Sequence, residues 1–156
     1  MLLIRTARVP SAGCIGFPGA NGKTSYFLWV HKTQPIVTRS SSESELVAAS
    51  YIVEYGKWVT YMLDELGFGK CVIELEQDNT SSIGFIKRGR GTFSRTKHIN
   101  VRWFWIAMLM ENGELSIKHG PTEEMTADVL SKPLPYTAFL KLLYKLVGWR
   151  PRAGAM

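Results

Sequence analysis

Three acids stand where the chain changes from one type of element to another: Glu45 in SSSESELVAAS, Asp78 in ELEQDNTSS and Asp128 in TEEMTADVLSK. Carboxylates brought together repel unless a cation neutralises them, and hard oxygen donors suit Mg²⁺ or Mn²⁺. A pair of such ions ~4 Å apart activates a water and stabilises the leaving oxygen in phosphodiester hydrolysis. Each acid also has a plainer role. Glu45 can complete a capping box with Ser42, Asp78 can cap a helix starting near Asn79, and Asp128 can be a solvated helix acid. Spacing alone leaves both roles open for all three.

The elements that would position them follow from period and punctuation. Residues 11–22 (SAGCIGFPGANG) read as a short strand broken by turn formers, and TSYFLWVHK (24–32) as a second strand, joined in a hairpin by GANGK. QPIVTRS (34–40) prolongs this strand region or starts a third. The period then changes. Leu46, Ala49, Tyr51, Ile52, Tyr55, Val59 and Leu63 recur at helical spacing, with Gly67 as the stop. KCVIELEQD (70–78) is the next strand and 79–89 a short helix. A helix at 98–113, a strand at 114–120, and helices at 121–132 and 136–149 complete an α/β pattern with early antiparallel pairing. In such folds, functional sites gather at the carboxyl ends of strands and the adjoining helix starts. Those are the positions of the three acids.

The chain has 156 residues, 46% of them apolar and 21% charged, enough for one domain with a core. No apolar run reaches membrane-span length, and MLLIRTARVPSAG lacks the apolar stretch of a signal peptide. Cys14 and Cys71 make no disulfide framework, so the expected setting is intracellular, with both thiols packed inside. The net charge of +6 points to a polyanionic partner. Its distribution is uneven: residues 1–42 contain Arg5, Arg8, Lys23, Lys32 and Arg39 but no Asp or Glu.

The blocks SSSESELVAAS, EQDNTSSIGFIKRGRGTFSRTKHINVRWFWI and ELSIKHGPTEEMTADVLSKPL resemble, in order, the RNase H domain of copia-type LTR retrotransposon Pol polyproteins. The family's S-T-E-A-E-Y, D-N-Q-S-A-I, S-R-T-K-H-I-x-V-R-Y and P-T-x-x-x-A-D-I-L-T-K-P-L segments are matched between about residues 24 and 149. The resemblance implies an RNase H-like fold, a mixed five-stranded sheet whose first three strands are antiparallel. It implies a two-metal nuclease using Mg²⁺ or Mn²⁺, acting on RNA–DNA hybrids beside the reverse transcriptase domain of the same polyprotein. It assigns Glu45, Asp78 and Asp128 as catalytic metal ligands. One ligand is missing: the family's first-strand Asp has no counterpart, because residues 1–42 hold no carboxylate. Residues 1–23 are accordingly read as a degenerate start with the first hairpin strand, 24–149 as the RNase H-like domain and 150–156 as a tail, with the first strand missing or replaced.

A basic stretch after the second block, with Arg88, Arg90, Arg95, Lys97 and His98, is read as nucleic-acid-binding. Trp103 and Trp105, two apart on a helix, cannot share one face, so at least one belongs to the core. His119 is read as coincidental. The functional expectation is a retrotransposon-derived RNase H-like domain with impaired hydrolysis. The alternatives are a non-catalytic nucleic-acid-binding module and a decayed fragment.

Overall fold

A computed structural model describes residues 1–7, 11–34, 38, 40–87 and 97–148. Five strands form one sheet: β1 (Leu2–Ala7), β2 (Ser11–Pro18), β3 (Thr24–Lys32), β4 (Ile73–Gln77) and β5 (Leu115–His119), in the order β3-β2-β1-β4-β5. Pairing is antiparallel along β3-β2-β1 and parallel along β1-β4-β5. A parallel neighbour needs a crossover. The segment containing α1 (Ser41–Glu65) leads into β4, and α2 (Thr80–Lys87) with α3 (Lys97–Glu111) leads into β5. Two 3-10 turns and α4 (Tyr136–Val147) follow.

The first strand is therefore present. The apolar run LLI, which carries no functional motif, supplies it: Leu2 and Ile4 are fully buried beneath α1 with Ile15, Ile52, Ile73 and Leu75. Helix α1 approaches this strand closely enough that a Cβ on Gly56 would lie 2.4 Å from Ile4 Cδ1. Trp103, Ile106 and Leu109 of α3 extend the same core, while Trp105 only packs at its margin. On the opposite face of the sheet, Ala12 and Cys14 of β2 meet Ala127 and Leu146, with Tyr26 and Leu130 alongside.

Several local expectations need correcting. Helix α1 starts earlier than a Ser42–Glu45 capping box requires: Ser40 is the N-cap, and its Oγ accepts from Glu43 N at 3.2 Å. The region 121–132 is not one helix but 3-10 turns at Thr122–Glu124 and Thr126–Leu130. Met125 separates them with extended backbone (φ −73, ψ 91), which seats its side chain in the interior. Of QPIVTRS, residues 35–37 and 39 lie outside the described residues, and Gln34 belongs to no strand.

The hairpin is irregular in one place. Ile15 pairs with Leu28, but Gly16 pairs with Tyr26, so Phe27 is an extra residue in β3. Gly16 makes this possible, because a Cβ there would lie 2.6 Å from the Ser25 carbonyl oxygen. The bulge reverses the alternation: Leu28 packs toward α1, yet Tyr26 packs on the face of Cys14 and Leu146.

The two thiols differ. Cys14 is fully buried and burial pushes its pKa up to about 12, whereas Cys71 is only half-buried, against the expectation that both pack inside. A thiol-reactive disulfide reagent at neutral pH is expected to titrate Cys71 in the native protein and Cys14 only after denaturation. For the seating of β1, Ile4→Ala is expected to lower the unfolding free energy by about 2–5 kcal/mol in denaturant titration. A loss below about 1 kcal/mol would place residue 4 outside the core.

Candidate active site

Three elements meet on the face of β1 and β4 turned away from α1. In the parallel register, Arg5 is level with Glu76. Arg5 Nε lies 2.5 Å from Glu76 Oε2, with both side chains nearly buried. Arg5 Nη1 also donates to the Glu124 carbonyl, tying β1 to the first 3-10 turn. From β5, Lys118 Nζ stands 3.7 Å from Glu76 Oε1 and 3.9 Å from Glu74 Oε1. A cation on a central strand is tolerated because its counter-charge lies on the neighbouring strand.

Asp78 follows β4 and is half-buried; its Oδ2 accepts from Thr122 Oγ1 at 3.4 Å. The cap of α2 is supplied by the next residue, Asn79, whose Oδ1 accepts from Ser81 N at 2.8 Å and Ser82 N at 3.2 Å. Asp78 is thus released from the capping role that spacing allowed. At the same level, Gly120 N donates to Gln77 O at 3.0 Å, holding the ends of β4 and β5 together.

Glu45 lies in the second turn of α1 and is buried. Asp128 is buried in the second 3-10 turn, and its Oδ2 is ion-paired with Lys132 Nζ at 2.6 Å. The structure joins Asp78 to the 3-10 segment that also carries Asp128. Among the described residues, no three Asp, Glu, His or Cys side chains form a group that could hold a metal ion, and Glu45, Asp78 and Asp128 are all described. The donor set as it stands does not fit a divalent ion.

The register that matches Arg5 with Glu76 places residue 7, an alanine, level with Asp78 when continued by two residues. Level with Asp78 the strand thus offers Ala7, with Arg5 two residues before it. Arg88, Arg90 and Arg95 lie outside the described residues; Lys97 and His98 open α3, but their side chains lie outside them too. His119 is exposed at the end of β5. Arg5 and Glu76 were the residues missed. Their signal was present as a lone cation within an apolar strand and acids at alternate positions of IELEQ.

The sheet order and pairing are those of an RNase H-like fold. The solved structure of LC11-RNase H1, isolated from compost by a metagenomic approach, is similar with a TM-score of 0.51 and 16% sequence identity. The match covers 91% of this chain and 96% of that one. In sequence, the chain is 33% identical over 120 residues to the retrovirus-related Pol polyprotein from transposon TNT 1-94 of Nicotiana tabacum, covering 77% of this chain. It is 29% identical over 118 residues to that from transposon RE1 of Arabidopsis thaliana, covering 76% of this chain. The chain is a relative of the copia-type retrotransposon Pol polyproteins and spans 9% and 8% of the length of these two. No protein-family model matches it.

Replacing Arg5 with methionine removes the counter-charge of a nearly buried Glu76. Arg5→Met is expected to destabilise the protein by about 3 kcal/mol at neutral pH, at the low end for a broken buried pair because Lys118 remains. Arg5→Met/Glu76→Leu is expected to recover most of that loss, which a double-mutant cycle in denaturant measures.

Proposed function

We propose that this chain is a retrotransposon-derived RNase H-like domain that has lost hydrolysis of the RNA strand of RNA–DNA hybrids. The reading is supported by kinship to Pol polyproteins and by the RNase H-like fold. The observation that carries the loss is Arg5: β1 takes its place in the sheet and brings a guanidinium, not a carboxylate, against β4. A first-strand acid would add negative charge where metal ions are to be held, whereas Arg5 adds positive charge and occupies the Glu76 carboxylate. Glu45, Asp78 and Asp128 are the remaining members of the ancestral set, and Mg²⁺ or Mn²⁺ its ancestral metal.

What this domain retains, on this reading, is contact with nucleic acid. The net charge of +6 and the Arg88, Arg90, Arg95, Lys97 and His98 segment favour binding of a hybrid without cutting it. In the parent polyprotein its neighbour would be a reverse transcriptase domain, and its setting intracellular.

The test is end-labelled RNA–DNA hybrid incubated with the protein in Mg²⁺ and separately in Mn²⁺. The expected result is no cleavage above a protein-free control, with hybrid binding that weakens steeply as salt rises. Cleavage that Asp78→Asn abolishes would overturn the proposed loss.

A further inference from the structure

The face of the sheet opposite α1 carries an open groove of about 880 Å³ between the β2–β3 hairpin and α4, floored by Arg5. We propose that it binds a short stretch of single-stranded nucleic acid, a function independent of whether the domain cuts hybrids.

The first support is charge. One wall comes from the start of β3 and the turn before it, and the other from α4. These walls belong to two of the three long stretches of the chain that contain no Asp or Glu, residues 1–42 and 129–156, the third being 79–110. Folding brings these two acid-free segments to face each other. Lys23 stands on the hairpin side and Lys141 with Lys145 on the helix side, at i and i+4 and so on one face of α4. The single acid in the lining, Glu124, is near Lys145 (3.7 Å), and Arg5 is engaged by Glu76. Lys23 and Lys141 are exposed on opposite walls, placed to contact phosphates of a strand lying between them.

The second support is aromatic. Tyr144 lines the helix wall and Tyr26 the sheet wall. Tyr26 reaches this face only because of the bulge at Phe27, which Gly16 permits. Aromatic side chains interleaved with cations along a groove suit single strands, whose bases are free to stack, better than duplexes. The volume falls in the ~300–1,000 Å³ range of sites that enclose a small ligand, room for about one or two nucleotides. The hairpin wall is held in place: Gly19 N donates to Lys23 O at 2.7 Å, Lys23 N donates to Asn21 Oδ1 at 3.0 Å, and Gly22 takes φ +72.

The experiment measures fluorescence anisotropy of a fluorescein-labelled oligo-dT strand of about ten nucleotides with the full chain. No divalent ion is added, and salt is varied upward from about 50 mM. Lys23→Ala/Lys141→Ala is expected to weaken binding about tenfold or more. It should also reduce the slope of log K against log salt by about 1.4, since each phosphate contact to a single strand contributes ~0.7. Thermal unfolding of this variant is expected to match the parent, because both lysines are exposed. A variant with Arg88, Arg90 and Arg95 changed to alanine is expected to keep most single-strand binding. Unchanged affinity and slope in the lysine double variant would overturn the proposal. So would equally tight binding of a duplex at the same lysines, or displacement of the strand by a polyglutamate peptide of equal charge. No outcome depends on cleavage, so loss of this proposal and loss of the nuclease reading are distinguishable.

Discussion

Everything in this fold passes through β1. It is the middle strand of five, hydrogen-bonded antiparallel to β2 on one side and parallel to β4 on the other. Its two faces answer to different demands. Toward α1, Leu2 and Ile4 must be apolar, and Gly56 must lack a side chain for the helix to lie against them. On the other face Arg5 must meet a charge of opposite sign, because a guanidinium buried without one is strongly unfavourable. Glu76 meets that demand from 71 residues away in sequence, and Lys118 completes the set from β5. A hairpin half and a parallel half thereby share the β1 ladders, the Arg5–Glu76 ion pair and the apolar surface beneath α1.

The same balance shapes the candidate site. Three of its acids meet polar side chains: Glu76 meets Arg5 and Lys118, Asp128 meets Lys132, and Asp78 accepts from the Thr122 hydroxyl. These contacts position the end of β4 against the 3-10 segment. The ancestry visible in the sequence and the charge pattern visible in the structure pull in opposite directions, and Arg5 is where they part.

Much of this was legible beforehand, for identifiable reasons. The hairpin, α1, β4 and α4 announced themselves through alternation, helical period and glycine stops. Gly67 and Gly113 do take left-handed backbone just past their helices, and Gly148 does so within the expected 136–149 helix, ending it at Val147. The motif blocks implied, through resemblance, a mixed sheet with its first three strands antiparallel, which periodicity does not encode. What was hidden depended on contacts distant in sequence. LLIRTA looked like an empty start because its value lies in partners at 12–16 and 73–76. The cap of α1 was misread because several serines compete for it, and only the backbone path selects Ser40. The 121–132 segment has helix-forming residues, but the burial of Met125 outweighs local preference and breaks the run. The roles of Glu45, Asp78 and Asp128 depend on mutual positions that spacing does not encode.

The bulge at Phe27 has a consequence for how such a chain can change over generations. Side chains along a strand alternate, so the count of residues between the hairpin turn and Leu28 decides which face each one serves. With Phe27 extra, Tyr26 lies on the α4 side while Leu28 remains beneath α1. Substitution at Phe27 leaves that count intact. Deleting that one codon would remove the extra residue and leave Tyr26 opposite Gly16, still on the α4 side, whereas pairing Phe27 with Gly16 in its place would turn Tyr26 toward the α1 side. This stretch can therefore absorb both changes of letter at Phe27 and the loss of that one residue, while Gly16 opposite it is held to one letter by the close approach of the Ser25 carbonyl.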